Sequence, residues 1–247
     1  MPIRKLRFSI RTLIAVTALV AIGIVAWQYV NRPPPPTSAW EAFLLGVTTL
    51  QETGDRKLAA RQFDAVEALF PNSEYKTDSL ELAQQLRILM AEDRAWREPS
   101  DPQQLPLLQQ IKYHIHHLRD VNCYQLSLPG RCHVLTDFGN DYNAAIALHE
   151  IGEPAIPYLI PLLKDRRPIR SVGCWRNLAK YRTVLRYQDA AIQIINELFP
   201  ELAYNPAYFS IESKQKQAEV IGQIENWWKQ KSTEYKRSHT RNSHDNK

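Results

Sequence analysis

An uncharged apolar segment near the N-terminus constrains this chain more than any other feature. Residues 12–31, TLIAVTALVAIGIVAWQYVN, carry no formal charge and are bounded by Arg11 and Arg32. A helix of these twenty residues rises about 30 Å, which matches the hydrocarbon core of a bilayer. We therefore predict a transmembrane helix over residues 12–31.

The basic residues before this segment predict its orientation. Four lysine or arginine residues lie within residues 1–11, and the cytoplasmic flanks of membrane helices are rich in such residues. We expect a single-pass protein of the cytoplasmic (inner) membrane, with residues 1–11 inside and the C-terminal domain extracytoplasmic. The alternative is a cleaved signal peptide, which the long apolar stretch and the lack of a small-x-small site before Trp27 disfavour.

The opening RKLRFSIRTLIAVTALVAIG also resembles a recurrent N-terminal anchor of bacterial proteins, RFSIRTLL followed by an apolar run. The resemblance covers about the first thirty residues. It implies location and carries no activity.

The composition of the rest of the chain favours helices around an apolar core. Hydrophobic residues make up 44% of the 247 residues, and there are only 8 glycines. Glycine at about half its usual frequency disfavours many-turned β-sandwiches and phosphate-cradling loops. The net charge of +5 comes mainly from lysines and arginines near the two ends, so we expect no nucleic-acid partner.

A proline run at residues 33–36 predicts a stiff linker, residues 32–37, that separates the anchor from a first helical block, residues 38–98. Ser38 and Asp55 are candidate helix caps, Gly54 and Pro71 are candidate stops, and a third helix is expected from about residue 78 to 96. Helical spacing predicts the buried faces, which comprise Trp40, Phe43, Leu44, Val47 and Leu50, then Leu58, Ala59, Val66, Leu69 and Phe70, then Leu82, Leu86, Leu89 and Met90. The stretch AARQFDAVEALFPNSEYKTDSLELAQQL is similar to one tetratricopeptide unit.

A second helical block is predicted over residues 99–231, with a disordered basic tail at 232–247. A helix at about 107–119 precedes a non-periodic loop, residues 120–143. The pattern NAAIALHEIGEPAIPYLIPLLKD resembles a HEAT repeat, in which Pro154 and Pro157 suit a first turn and Pro161 kinks the helix. Asp189 is a candidate cap for the helix DAAIQIINELF, and Trp227 and Trp228 are expected to cover the last helical layer.

The runs LRD, LPGRCHVLTDFGND, SVGCWRN and VLRYQDAAIQIINEL resemble a set of uncharacterised bacterial membrane-anchored HEAT-repeat proteins over about residues 110–200. The resemblance implies an all-α fold, in which the transmembrane helix is followed by an α-solenoid-like domain. It carries no activity to this chain.

Two of the three cysteines, Cys123 and Cys132, bound a ten-residue segment. In an oxidising compartment they can form a disulfide, and we favour this over two free thiols. Cys174 would then be unpaired and packed.

Several polar groups have the residue types of a metal or catalytic site but not its spacing. His114 and His117 share a helix face but lack further ligands nearby in the sequence, Cys132-His133 is only half a zinc pair, and His149-Glu150 lacks the second histidine of a zinc protease. Asp137-Phe138-Gly139 spells a kinase triplet without the other kinase motifs. Asp137, Asn140, Asp141 and Asn143 are not spaced as a calcium loop, and turn chemistry explains them more simply.

A strip of aromatic and basic residues is the strongest candidate binding surface in the sequence. Such a mixture can contact an acidic or glycan partner, or pack its stems on the repeat surface. It comprises Trp175, Arg176, Lys180, Tyr181, Arg182, Arg186 and Tyr187.

The sequence thus predicts a membrane-tethered helical-repeat scaffold that binds a protein partner and contacts lipid through its anchor. It contains no P-loop, dinucleotide fingerprint or G-x-S-x-G motif, so we predict no catalytic activity, no catalytic or metal-binding residues and no cofactor. Two alternatives remain open. One is a metal-dependent hydrolase that uses the 120–143 loop, and the other is a cell-wall or lipid-binding module that uses the aromatic–basic strip.

Overall fold

The computed structural model describes residues 14–23, 35–123, 132–136, 142–173, 182–202 and 209–242, with side chains as far as residue 233. The chain divides into two units, residues 1–37 and 38–247. In the first unit, residues 14–23 form helix α1. Among the described residues, no helix combines the length and apolarity needed to cross a bilayer. The other residues of the predicted span, 12–13 and 24–31, lie outside the described ranges.

The second unit is mostly helical, which confirms the fold class at this coarse level. Its longer helices are α2 (Ala39–Thr53), α3 (Arg56–Leu69), α4 (Lys76–Ala95), α5 (Leu107–His117), α6 (Ala144–Ile151), α8 (Tyr187–Leu198) and α9 (Lys214–Asn242). A single turn, α7 (Ile156–Leu159), lies between the 3₁₀ turns Glu153–Ala155 and Ile160–Lys164. Further 3₁₀ turns span Pro102–Gln104, Leu118–Asp120, Pro200–Leu202 and Phe209–Ile211.

A small antiparallel sheet interrupts the helices and was not predicted. Strand β1 (Pro168–Gly173) pairs with β2 (Thr183–Arg186), with Val172 opposite Val184. Both strands are almost wholly buried, so they lack the alternation of apolar and polar residues that marks a half-exposed strand. The strands are also short, which leaves little periodic pattern to detect.

The caps of α2 and α3 are as predicted. The Ser38 hydroxyl accepts a hydrogen bond from the backbone N–H of Glu41, and Asp55 accepts one from Leu58. Gly54 ends α2 with a φ of 69°, a left-handed conformation that glycine adopts at little cost. Local polar chemistry therefore sets these helix ends.

The buried face of α3 differs from the prediction. Ala59, Phe63 and Val66 are buried, whereas Leu58 and Leu69 are 43% and 54% exposed. Positions 59, 63 and 66 form one stripe at helical spacing, and positions 58 and 69 lie about 100° and 80° away from it. The stripe packs between α2 and α4, so the two leucines face away from both neighbours.

In the segment whose sequence resembles a HEAT repeat, short turns replace the expected second helix, and each turn contains one of the three prolines. Gly152 follows α6 with a φ of 74°. Pro154 lies in the first 3₁₀ turn, Pro157 lies in the first turn of α7, and Pro161 lies in the 3₁₀ turn after it. A proline lacks the amide donor that a continuous helix needs, so the chain turns in short pieces against α8.

The ends of the last two helices differ from the prediction. Helix α8 begins at Tyr187, and Asp189 accepts a hydrogen bond from the backbone N–H of Arg186 at 2.8 Å, so it caps the helix from the third position inside. Helix α9 continues to Asn242, into the segment expected to be disordered. That segment contains neither glycine nor proline before the helix ends, so no residue there breaks the helix.

One apolar core joins the two predicted helical blocks. It runs without interruption from Ala42 on α2 to Ile224 on α9. An ion-pair network also links the two blocks. Arg119 of the second block is only 3% exposed, and it pairs with Glu92 and Asp93 on α4 of the first block. Arg167, before β1, pairs with Glu92 as well. Core packing and ion pairs thus fix α5 relative to α4.

Candidate functional site

A polar and aromatic cleft lies between the segment after α4 and helices α5 and α6. Its volume is about 610 Å³, within the range of about 300–1,000 Å³ that ligand sites occupy. Ser100, Asp101, Pro102 and Gln103 line one side. The remaining walls come from α5, from α6 and from Tyr142, which lies just before α6.

Helical spacing explains why α5 and α6 each contribute one row of side chains. Gln110, Tyr113 and His114 of α5 line the cleft, as do Ala147, Glu150 and Ile151 of α6. Both sets have the spacing i, i+3, i+4, which places three side chains on one helix face. The cleft is therefore built from two rigid helix faces and one shorter segment.

Hydrogen bonds hold that shorter segment against α5. The Gln110 side-chain amide donates to the backbone carbonyls of Gln103 and Leu105, at 3.0 and 2.7 Å. Asp101 accepts from the backbone N–H of Gln103 at 3.1 Å and from the side chain of Gln104 at 2.7 Å. Pro102 also restricts the backbone here. The wall at 100–103 is thus positioned before any ligand binds.

Tyr142 projects into the cleft from the other side. It is 46% exposed, and its hydroxyl lies 2.7 Å from Nδ1 of His114. Burial, followed by the charge of His117, lowers the pKa of His114, so the imidazole is neutral at pH 7. Burial, followed by the charges of Tyr113 and Glu98, raises the pKa of Tyr142, so the phenol keeps its proton. A hydrogen bond between two uncharged side chains therefore orients the exposed ring of Tyr142.

Aromatic rings continue from the cleft back to α4. Tyr113 lies 6.1 Å from Tyr142 and 4.4 Å from His117, centroid to centroid. His117 lies 5.1 Å from His116, which stacks on Trp96 at 3.8 Å. This row packs the cleft wall against the end of the long helix α4.

Glu98 joins the tryptophan to the histidines. It accepts a hydrogen bond from the indole N–H of Trp96 at 2.8 Å and lies 3.3 Å from Nε2 of His117. Burial acts to raise the pKa of Glu98, but the Trp96 hydrogen bond and the charge of His117 outweigh it, so this pKa is lowered. Tyr113 also hydrogen-bonds to Glu98. The carboxylate is therefore charged, and it contacts the cleft wall through Tyr113.

The cleft contains the residue types of a hydrolase triad in a different arrangement. His114 contacts the Tyr142 hydroxyl, and Asp101 accepts from Gln103 and Gln104. Among the described side chains, no hydrogen bond joins Ser100 to His114. A triad requires the base to contact the nucleophile, whereas here His114 contacts the Tyr142 hydroxyl.

The structure brings carboxylates close to His116 and His117. His116 lies 3.8 Å from Asp93, and Nδ1 of His117 lies 3.5 Å from Asp120. These acids come from α4 and from the turn after α5. Even so, the described residues include no group of three or more His, Cys, Asp or Glu side chains arranged to hold a metal ion.

Cys123 and Cys132 form the favoured disulfide, with Cα atoms 5.9 Å apart. Ser171 of β1 anchors one end of it, because its hydroxyl accepts from the Cys123 amide at 2.9 Å and donates to the Val121 carbonyl at 2.8 Å. His133 follows the disulfide and lies 3.4 Å from Glu197 of α8. Cys174 lies outside the described residues.

The two described ends of the 120–143 loop have structural contacts. Asn143 caps α6, since its side chain accepts from the backbone N–H of Ala145 at 2.9 Å and donates to the Val134 carbonyl at 2.9 Å. This agrees with the turn chemistry expected for Asn143. Asp137, Phe138, Gly139, Asn140 and Asp141 lie outside the described residues.

The end of the aromatic–basic strip is buried, contrary to its proposed role as a binding surface. Arg186 is 6% exposed and pairs with Glu81 at 3.0 Å, while Tyr187 is fully buried with the Arg167 guanidinium 4.5 Å from its ring centroid. Arg186 is the last residue of β2, and Tyr187 is the first residue of α8. Arg182, just before β2, is half-buried, and Trp175, Arg176, Lys180 and Tyr181 lie outside the described residues.

The two C-terminal tryptophans pack as predicted. Trp227 and Trp228 are half-buried against the core, and Trp227 lies 4.7 Å from Phe199. Lys231 lies over the Phe199 ring, 3.7 Å from its centroid. This contact covers the last helical layer.

Comparisons with known proteins add nothing to this geometry. No family model matches the sequence, and no match was found among curated proteins or solved structures. Any function must therefore be argued from the cleft itself.

Sequence reasoning recognised His114 and Glu150 only as parts of rejected metal motifs. Tyr113, Gln110 and Tyr142 were not singled out at all. The i, i+3, i+4 spacing of polar and aromatic residues on α5 was visible in the sequence. What could not be read from it is that α6 lies opposite, since the two helices are separated by the non-periodic loop.

Proposed function

We propose that this protein is a membrane-tethered helical-repeat protein that binds a partner protein through the cleft between α5 and α6. In this proposal, residues 12–31 span the cytoplasmic membrane, residues 32–37 are the linker, and the helical domain is extracytoplasmic. The observation that carries the proposal is the cleft, in which an exposed tyrosine is oriented by a hydrogen bond to the half-buried His114.

The side chains that line the cleft are held in place before a ligand binds, and this supports a role in recognition. Tyrosine is enriched at interaction surfaces because a rigid ring contributes large contact area at a low entropic cost. Tyr142 is fixed by His114, and the opposite wall is fixed by Gln110. A ligand that enters this cleft would therefore pay little ordering entropy.

An apolar patch beside the cleft favours a protein partner. Leu107 lies one helical turn before Gln110 on α5 and is 49% exposed, and Leu108 beside it is 43% exposed. Exposed apolar side chains next to a polar aromatic pocket are typical of protein–protein interfaces, in which the centre excludes water and the rim stays hydrated.

A HEAT-like solenoid remains our proposal for the architecture. The pair formed by α6 and the proline-broken segment from Glu153 to Lys164 packs on α8, as a repeat packs on its neighbour. Helices α2, α3 and α4 also pack in sequence, α2 on α3 and α3 on α4. Solenoids present their helix faces as extended binding surfaces.

The location is tested by topology and by extraction. An alkaline phosphatase reporter fused after residue 40 should be active, because the enzyme requires the extracytoplasmic compartment. The full-length protein should stay with membranes in high salt and leave them in detergent. An inactive fusion, or release by salt alone, would contradict the proposed tether.

The binding role is tested by crosslinking in cells. A photo-reactive residue at Gln103, on the exposed cleft rim, should capture a specific protein. The same residue at Lys112, which is exposed on α5 but does not line the cleft, should not. Capture must also fall when Tyr142→Ala is added to the Gln103 probe. Equal capture from both positions would exclude the cleft as the binding site.

A further inference from the structure

The cleft is acidic although the protein as a whole is basic. Asp101 and Glu150 line it, and no lysine or arginine is among its described lining residues. The chain carries a formal charge of +5. Glu150 is exposed and forms no ion pair with any described residue, so its charge faces solvent in the open cleft.

One basic side chain, the imidazole of His114, is among the described lining residues, but it does not offset the negative charges of the two carboxylates. His114 is neutral at pH 7 because burial lowers its pKa. Its Nδ1 is occupied by the Tyr142 hydroxyl. Among the described lining residues, two carboxylates therefore act on the cleft without a compensating cation.

Two tyrosine rings line the cleft together with the carboxylates. Tyr113 and Tyr142 lie 6.1 Å apart, with their planes inclined by 54°, so they form two sides of a corner. The face of a tyrosine ring attracts a cation by about 0.5–1 kcal/mol at an exposed site, and by more when the cation is desolvated. Rings and carboxylates together recognise an ammonium or guanidinium group, whereas a phosphate or carboxylate ligand would be repelled.

We propose that the cleft receives a lysine or arginine side chain from a segment of the partner protein. This inference rests on the proposed function, in which the cleft is the docking site. The cationic head lies between the tyrosine rings and Glu150, and the aliphatic stem packs on Ala147 and Ile151. A volume of about 610 Å³ leaves room for residues on both sides of that side chain.

The test measures peptide binding to the full-length protein in detergent, at low salt, by isothermal titration. The probes are a short peptide with two arginines, the same peptide with glutamates in their place, and free spermidine. We expect the arginine peptide to bind at least about tenfold more tightly than the glutamate peptide. Equal binding of the two peptides would overturn the proposal.

Substitutions locate the cation within the cleft. Glu150→Gln keeps the shape and removes the charge, and it should weaken the arginine peptide about threefold to tenfold. The matched control is Glu52→Gln, which removes the same charge from an exposed position at the end of α2 and should leave the affinity unchanged. Equal losses in both variants would mean a long-range effect of net charge, and the assigned contact would be wrong.

The ring contribution is separated from the hydroxyl in the same assay. Tyr142→Phe keeps the ring face but loses the hydrogen bond to His114 that orients it, so it should weaken binding about twofold to threefold, whereas Tyr142→Leu should lose about tenfold. The urea midpoint of each variant checks its fold. If Tyr142→Leu binds normally while folded, the ring does not contact the cation and the proposal fails.

The remaining outcomes separate this inference from the function on which it rests. Spermidine that binds as tightly as the arginine peptide would assign the cleft to a free polyamine and overturn a partner side chain. If neither cation binds but Gln103 still captures its partner in cells, the cleft docks a protein and the cationic anchor is wrong. If crosslinking also fails, the proposed function falls as well.

Discussion

The indole of Trp96 and the imidazole of His116 are stacked, with ring centroids 3.8 Å apart and planes inclined by 10°. The His116 side chain is only 10% exposed. Burial, followed by the positive charge of Arg119, lowers the pKa of His116 to about 4. At neutral pH this histidine is therefore an uncharged aromatic side chain that holds the end of α4 against α5.

This stack should make the stability of the domain depend on pH. The pKa of His116 is about 6.5 in the unfolded chain and about 4 in the fold, so below pH 6.5 the unfolded state binds more protons. The stability contributed by the neutral ring is complete above pH 6.5 and is lost as the pH falls towards 4. The loss is on the order of 2–3 kcal/mol.

The variant His116→Phe checks this expectation. Phenylalanine keeps a ring on Trp96 but cannot take a proton, so the difference in unfolding free energy between pH 7.5 and pH 4.5 should shrink by about 2 kcal/mol. Urea unfolding at both pH values measures it. A difference as large as in the wild type would show that His116 is not the titrating group.

Arg119 should be among the costliest charged residues to replace. Its side chain is 3% exposed and pairs with Glu92 and Asp93, and it also donates to the carbonyls of Leu89 and His116. Arg119→Met fills a similar volume but leaves those acceptors without their donor. Removing one partner of a buried pair typically costs 3–5 kcal/mol, and because both carboxylates are about one-third exposed we expect about 3 kcal/mol.

Arg87→Met is the matched control for that loss. Arg87 also pairs with an aspartate, Asp64, but its side chain is 52% exposed. Solvent screens such a pair, so the change in unfolding free energy should stay below about 1 kcal/mol. Chemical denaturation of both variants gives the comparison. Similar losses would mean that burial of Arg119 does not set its contribution.

The disulfide should contribute to stability and leave one free thiol. Replacing both Cys123 and Cys132 with serine opens a ten-residue loop and should cost about 3 kcal/mol. With three cysteines in the chain, labelling of the denatured, non-reduced protein should modify one thiol, that of Cys174. Modification of three thiols would show that the bond does not form in the protein as isolated.

Four helix ends in this fold were predictable because they depend on neighbours in sequence. Ser38, Asp55, Gly54 and Gly152 act within one turn of the chain, so their identity was enough. The face that α3 buries was harder to predict. Leu58 is as apolar as the residues that are buried, and only the positions of α2 and α4 decide that Phe63 points inward instead.

The candidate site was beyond sequence reasoning for a related reason. Gln110, Tyr113 and His114 have a helical spacing that marks one face, but a face becomes a cleft only when another element stands opposite. Here that element is α6, which comes from the far side of the non-periodic loop. The prediction for Arg186 was wrong for the same reason. This basic residue lies in an aromatic-rich run and was assigned to the surface, but the fold buries it and pairs it with Glu81.

The close packing of Phe63 of α3 against Gly46 of α2 yields the last prediction. A Cβ atom on Gly46 would lie 2.7 Å from Cε1 and 2.8 Å from Cδ1 of Phe63. Phe63 is fully buried, so its ring cannot move aside without disturbing the core. Gly46→Ala should therefore destabilise the domain by about 1–3 kcal/mol, although alanine is the better helix former by up to about 1 kcal/mol.

Three further variants, which are Gly222→Ala, Phe63→Leu and the combination of Gly46→Ala with Phe63→Leu, separate crowding from helix propensity. Gly222→Ala, in α9, places its Cβ where no atom lies within 4 Å, so it should stabilise the protein by about 0.5–1 kcal/mol. Combining Gly46→Ala with Phe63→Leu should cost less than the sum of the single changes, because the smaller side chain relieves the clash. Thermal and urea unfolding of the four variants measure these values. Strict additivity would mean that Gly46 is required for some reason other than the ring that packs on it.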